Sequence, residues 1–236
     1  KVRDLKGLSV GMPNVSLEDI GTTRGTANFS IRGLGINSSI PSIDPTVGVF
    51  VDGIYLGINA GVVLDIFDLE AVEVLRGPQG LLFGRNVTGG AVVLRTKKPS
   101  DEFEITAKAA VESGLRGTGE NLYFMGSVSG PINDQVSAKV SGYWNGDGGW
   151  HENLFDGSDF GDADTFLVRP SLVWTPRDDL ELIFRYEHGE SDGDGPAAQN
   201  RLLFDRESFD FAIDEPGLYD NKWDQFTFEI NWDVPF

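Results

Sequence analysis

The second half of the chain alternates apolar and polar residues with a period of two, a pattern that admits only strands whose two faces meet different surroundings. Phe103, Ile105, Ala107, Ala109 and Val111 fall on one face, and Glu104, Thr106, Lys108 and Glu112 on the other. Leu122, Phe124, Gly126 and Val128 alternate with Asn121, Tyr123, Ser127 and Ser129, and Val136, Ala138, Val140 and Trp144 with Ser137, Lys139, Ser141 and Asn145. Phe166, Val168, Leu172 and Trp174 form a fourth apolar face. Leu180, Leu182, Phe184 and Tyr186 oppose Glu181, Arg185 and Glu187, and Phe226, Phe228, Ile230 and Trp232 oppose Gln225, Thr227, Glu229 and Asn231. Six runs of about ten residues match the length of a tilted strand that crosses a hydrocarbon layer.

The connections carry independent information. The alternation breaks at residues 114–119, 131–134, 147–163, 176–179 and 191–221, so that after the first break short and long connections take turns. Membrane barrels have short turns at one rim and long loops at the other. If the first strand rises from the inner side, the first, third and fifth connections lie outside, and those are the longer ones. Trp144, Trp174, Tyr186, Trp223 and Trp232 lie near strand ends, where interfacial aromatic girdles belong. A water-soluble β-sandwich would alternate as well, but it explains neither this parity nor the segment that precedes it. No run of eighteen apolar residues exists for a membrane-spanning helix, and mean hydropathy is -0.18. Neither fact bears on strands, of which only alternate residues face lipid.

Charge separates the chain into two parts. The net charge is -18, yet residues 1–99 hold ten Lys/Arg against nine Asp/Glu, so the acidic excess belongs to residues 100–236. That balance argues against a nucleic-acid partner. The acid sits mainly in connections and on the polar strand faces, where water can solvate it. The acidic stretches 156–164 and 192–194 resemble calcium loops only loosely. The chain has no cysteine, hence no disulfide or thiolate metal site. His151 and His188 stand in no catalytic motif, and nothing in the sequence calls for a cofactor.

The first part reads as a small α+β unit. Residues 2–8 suggest the end of an amphipathic helix, broken at Gly11, Pro13 and Asn14. Strands are expected at 28–32, 47–51, 71–75 and 91–96, with a hairpin-type turn at Asp52-Gly53 and one helical turn over 65–69. Glycines at 77, 80, 84, 89 and 90 punctuate the following loop. Neither Arg32-Gly33-Leu34-Gly35 nor the 77–90 stretch is a nucleotide loop, because no Gly-Lys-Ser/Thr follows and no G-x-G-x-x-G opens a helix.

Three segments carry a resemblance. They are Val47-Gly48-Val49-Phe50-Val51-Asp52-Gly53-Ile54, the run from Asp65 through Leu69-Glu70-Ala71-Val72-Glu73-Val74-Leu75-Arg76-Gly77-Pro78-Gln79-Gly80, and Leu82-Phe83-Gly84-Arg85-Asn86 with Gly89-Gly90-Ala91-Val92-Val93 and Thr96-Lys97-Lys98-Pro99. Their succession resembles the plug domain of TonB-dependent outer-membrane receptors, over residues 4–99. The resemblance implies an α+β plug domain at 1–99, followed by antiparallel transmembrane β-barrel strands at 100–236, the N-terminal part of an outer-membrane β-barrel. Six strands are far from the roughly 22 that close a plugged barrel, so an N-terminal fragment is expected.

The resemblance also sets functional expectations. The family takes up scarce ligands across the outer membrane, driven by TonB and the inner-membrane proton gradient. The TonB-engaging segment would lie upstream of Lys1. Arg76 and Arg85 occupy positions where plug arginines pair with carboxylates on the barrel wall; ordinary surface arginines are the alternative. The loops 35–45 and 55–61 would meet ligand through Asn37, Ser38, Ser39, Tyr55 and Asn59. An iron–siderophore or related iron complex is the first expectation for the ligand. Carbohydrate or cobalamin, and a signal-transducing role, remain open, and no motif supports an enzyme.

Overall fold

The structure is a computed structural model that describes residues 5–20, 23–36, 43–57, 68–113, 119–200, 202–205, 208, 210 and 211–234. The chain divides into two compact units, residues 1–98 and 99–236.

The first unit is α+β. Helix α1 (Leu5–Val10) leads through a turn at 11–14 into a hairpin of β1 (Val15–Ile20) and β2 (Thr23–Ile31). The strand expected at 28–32 is therefore the end of a longer one, and β1 is an addition, since its acidic Glu18 and Asp19 blur the alternation. A separate four-stranded sheet has the order β4-β3-β6-β5, formed by β3 (Val47–Val51), β4 (Ile54–Tyr55), β5 (Leu69–Arg76) and β6 (Gly90–Thr96). Strands β3 and β6 run parallel at its centre. The short helix α2 (Gly80–Phe83) interrupts the loop between β5 and β6. Leu69 is strand, and the rest of the expected helical turn lies mostly outside the described residues.

Leu5, Leu17, Phe29, Ile31, Val47, Val49, Val92 and Leu94 build one core, and Phe50, Val87 and Ala91 a smaller one. Gly90 opens β6 at φ +150°, and a Cβ there would sit 2.3 Å from the Leu75 carbonyl oxygen, so the parallel centre of the sheet admits no side chain at this point. Asp52, at φ +49°, makes the expected β3–β4 turn. Its carboxylate also accepts from the Thr96 backbone N–H at 2.8 Å and from the Thr96 hydroxyl at 2.7 Å, clamping that turn to the end of β6.

The second unit is one antiparallel meander in sequence order: β7 (Glu104–Ser113), β8 (Glu120–Asn133), β9 (Val136–Asn153), β10 (Ser158–Arg177), β11 (Leu180–Asp194) and β12 (Leu218–Trp232). Its faces are inverted relative to a sheet made for water. Phe124, Val140, Trp144, Phe166, Leu172, Phe184 and Phe228 are all exposed, while Lys139, Ser141, Arg169, Arg185 and Thr227 are buried. Cross-strand register keeps the two sets apart, as in the rows Gly130–Ala138–Leu172–Phe184–Phe228 and Lys139–Ser171–Arg185–Thr227. Leu167 and Ile183 accompany the buried polar groups. An apolar band left bare is a severe liability in water and the required arrangement in hydrocarbon.

Two expectations need correction. The connection expected at 147–163 is a turn of only four residues, 154–157, because β9 and β10 continue to 18 and 20 residues. At about 3.4 Å per residue, β10 reaches roughly 65 Å, beyond about 30 Å of hydrocarbon even when tilted. In its outer third Phe160 and Ala163 are buried while the neighbouring positions Asp159, Asp162 and Asp164 are polar, so backbone pairing continues there without the apolar run of a lipid-facing surface. The second correction concerns Trp223. It belongs to the buried polar face and not to an exposed girdle: its ring lies across Gly189, where a Cβ would come within 2.1 Å of the ring.

Candidate functional site

In the first unit the site builds around the turn after α2. Asn86 adopts φ +66°, a left-handed conformation that asparagine tolerates better than most residues. This turn aims its amide at two distant segments. Asn86 Nδ2 donates to Asp44 Oδ1 at 3.1 Å and to the Tyr55 hydroxyl oxygen at 2.9 Å. A carboxylate only accepts, so the amide nitrogen must be the atom facing Asp44. Arg85 Nη2 lies 3.6 Å from the same Asp44 oxygen, with both side chains exposed. Behind this polar group the Phe50 ring packs against Tyr55 and Phe83, with centroids 5.4 and 4.7 Å apart. The Val87 side chain is buried, and the Gly89 N–H donates to the Thr46 carbonyl at 2.8 Å. Residues 86–89 are thus fastened to the strand that leads out of the 35–45 loop.

Of the residues expected to face ligand, Tyr55 is in this cluster. Asn37, Ser38, Ser39 and Asn59 lie outside the described residues. Arg76 is exposed at the end of β5, with Nη1 3.5 Å from the Pro13 carbonyl oxygen. Asp44 and Asn86 escaped sequence reasoning. The one available signal was an asparagine following Gly84-Arg85 in a glycine-rich turn, which marks a left-handed residue without naming its partners.

In the second unit the buried face carries paired charges. Arg169 donates from Nε at 2.8 Å and from Nη2 at 2.6 Å to one oxygen of Glu187, whose other oxygen accepts the Trp223 indole N–H at 2.9 Å. Arg185 Nη1 donates to Glu229 at 3.2 Å, and Asn231 donates to the other oxygen of Glu229 at 2.8 Å. These carboxylates are not simply solvated, as the acidic composition suggested; each is committed to an arginine on the neighbouring strand. Charge-assisted pairs of this kind fix side-chain positions on a wall that would otherwise be costly to bury.

Beyond the apolar band, residues 211–213 of the connection after β11 lie against the β9–β10 hairpin. The Asn153 side chain donates to the Ile213 carbonyl at 2.9 Å and accepts the Ile213 N–H at 3.1 Å. Phe211 is buried between His151 and Phe160. Among the described residues no group of three or more His, Asp or Glu side chains is placed to hold a metal ion.

Comparison with known proteins gives a consistent result. Residues 1–91 match the family described as TonB-dependent Receptor Plug Domain. The pesticin receptor of Yersinia pestis is 28% identical over 123 residues, covering 52% of this chain and 17% of that protein. The ferrioxamine B receptor of Salmonella typhimurium is 28% identical over 191 residues, covering 77% of this chain and 24% of that protein. The crystal structure of the ferric yersiniabactin uptake receptor from Yersinia pestis superimposes with a TM-score of 0.80 at 22% identity, covering 98% of this chain and 36% of that one. The chain therefore spans about a fifth of the length of these curated relatives.

Proposed function

We propose that this chain, the plug domain of a TonB-dependent outer-membrane receptor followed by antiparallel strands of its barrel, serves the uptake of an iron–siderophore or related iron complex, energised by TonB and the inner-membrane proton gradient. The inverted sheet carries the reading: an exposed apolar face and a buried, ion-paired one make sense for a wall between lipid and a filled lumen. The choice of iron is supported by the names of the relatives, which include receptors for ferrioxamine B and ferric yersiniabactin. No nucleotide site is needed, because the work is supplied across the periplasm.

The plug's role assigns jobs to named residues. Tyr55, with Asn37, Ser38, Ser39 and Asn59, faces the ligand from the two plug loops. Arg76 and Arg85 are the contacts from plug to barrel wall; their present bonds, to the Pro13 carbonyl and Asp44, leave guanidinium donors available for a carboxylate. The experiment is complementation. A host stripped of its own siderophore receptors should regain growth under iron limitation on ferrioxamine B or ferric yersiniabactin when it expresses the receptor carrying this chain. Growth rescued only on cobalamin or an oligosaccharide, in a host dependent on that nutrient, would reassign the ligand class.

A further inference from the structure

We propose that Asn86 is a positioning residue that couples two separate stretches of the plug, residues 43–46 and 54–57, so that a change at one reaches the other. Asp44 lies in the first stretch and Tyr55 in the second, 42 and 31 residues from Asn86 in sequence. Among the described residues no strand pairing joins the two stretches: β3 pairs with β4 through Phe50 and Val51, short of Asp44. The single amide group spans the gap, giving one N–H to the carboxylate and the other to the phenol oxygen.

The backbone makes the amide a fixed point. Val87 is buried against Phe50 and Ala91, and Gly48 leaves room for it, since a Cβ there would stand 2.7 Å from Val87 Cγ1. The φ of +66° at Asn86 is held by this packing, so the side chain leaves a rigid turn at a set angle. A ligand group that draws Asp44 or Tyr55 away frees one N–H and weakens the hold on the other stretch. Glycine would satisfy the backbone equally well, so the asparagine is present for its amide.

Its connection to ligand rests on the uptake reading; the coupling itself does not. The test therefore has two arms, both on the intact receptor. Hydrogen exchange is followed in segments 43–46 and 54–57, and radioiron-loaded ferrioxamine B and ferric yersiniabactin are the uptake probes. Asn86→Asp keeps the size and the tolerance for positive φ but cannot donate, and it sets two carboxylates face to face. It should speed exchange in both segments about fivefold, the factor expected for losing one ordinary hydrogen bond. Tyr55→Phe, changed in one stretch, should also speed exchange in 43–46. Asp44→Asn combined with Asn86→Asp restores a donor facing an acceptor at position 44, while Tyr55 can donate to the carboxylate at position 86 in both variants. Exchange should return to within about twofold of wild type, and uptake should recover with it. Exchange that rises in only one segment, or a double variant no better than Asn86→Asp, overturns the coupling. Absence of uptake by the wild type would instead count against the iron reading, while the exchange arm still decides the inference.

Discussion

Glu187 shows most sharply what one residue contributes to this wall. Both of its oxygens are engaged, one by Arg169 and the other by Trp223, and both members of the ion pair are largely shielded from water, at 9% and 14% side-chain exposure. Removing one partner from such a pair costs about 3–5 kcal/mol, because the survivor remains buried and uncompensated. Glu187→Ala should therefore lower the urea midpoint of the folded receptor by that equivalent. Arg169→Met with Glu187→Met should recover most of the loss. Equal destabilisation by single and double variants would mean that shape, and not charge pairing, holds the site. Sequence reading gave Glu187 a face but no partner, because alternation orders residues along a strand and is silent on which neighbour answers each charge. The same limit hid Asn86. Its partners come from distant turns, and only the packing of Val87 and Gly48 brings them into reach.

At the level of elements, the strands that cross hydrocarbon were legible and their extensions were not. Phe124, Val140, Leu172, Phe184 and Phe228 take the exposed face and Lys139, Arg185 and Glu229 the opposite one, as the period of two requires. Phe184→Arg, within that band, should cost about 2–4 kcal/mol of folding free energy in lipid, read as a lower yield of assembled receptor. Undiminished assembly would remove Phe184 from the lipid face. Beyond the band, Asp162 and Asp194 face one another on β10 and β11. Asp162 Oδ1 accepts the Asp194 N–H at 3.0 Å, and Asp194 Oδ2 accepts the Gly161 N–H at 2.8 Å. Desolvation and the neighbouring Asp194 carboxylate hold the Asp162 carboxyl above the usual range. A carboxyl raised on folding favours the protonated folded form. Its stabilisation is complete below the ordinary carboxylate value near 3.9 and fades as pH climbs through the raised one. Amide exchange at Gly161 and Asp194, corrected for intrinsic rates, should therefore slow on acidification from neutrality. Exchange that quickens instead would show the pair to be better held when ionised.

In the molecule as a whole, residues 1–98 hold the Asn86 contacts to Asp44 and Tyr55, and residues 99–236 hold a buried face braced by its own ion pairs. The plug was legible because its turns demand particular residues, such as Gly90 beside Leu75 and Asp52 over Thr96. The proposed roles of Arg76 and Arg85 are written in no local pattern of the sequence. Arg76→Ala with Arg85→Ala should raise the conductance of liposomes carrying the receptor without unfolding the barrel, and wild-type conductance would return both arginines to the surface. The central claim, energised import of an iron complex, meets its most direct test in radioiron uptake by iron-starved cells that express the receptor as their only siderophore route. Uptake of ferrioxamine B or ferric yersiniabactin iron should be saturable, and it should disappear in a strain without TonB and on adding a protonophore. Accumulation that continues at the same rate in both cases would contradict it.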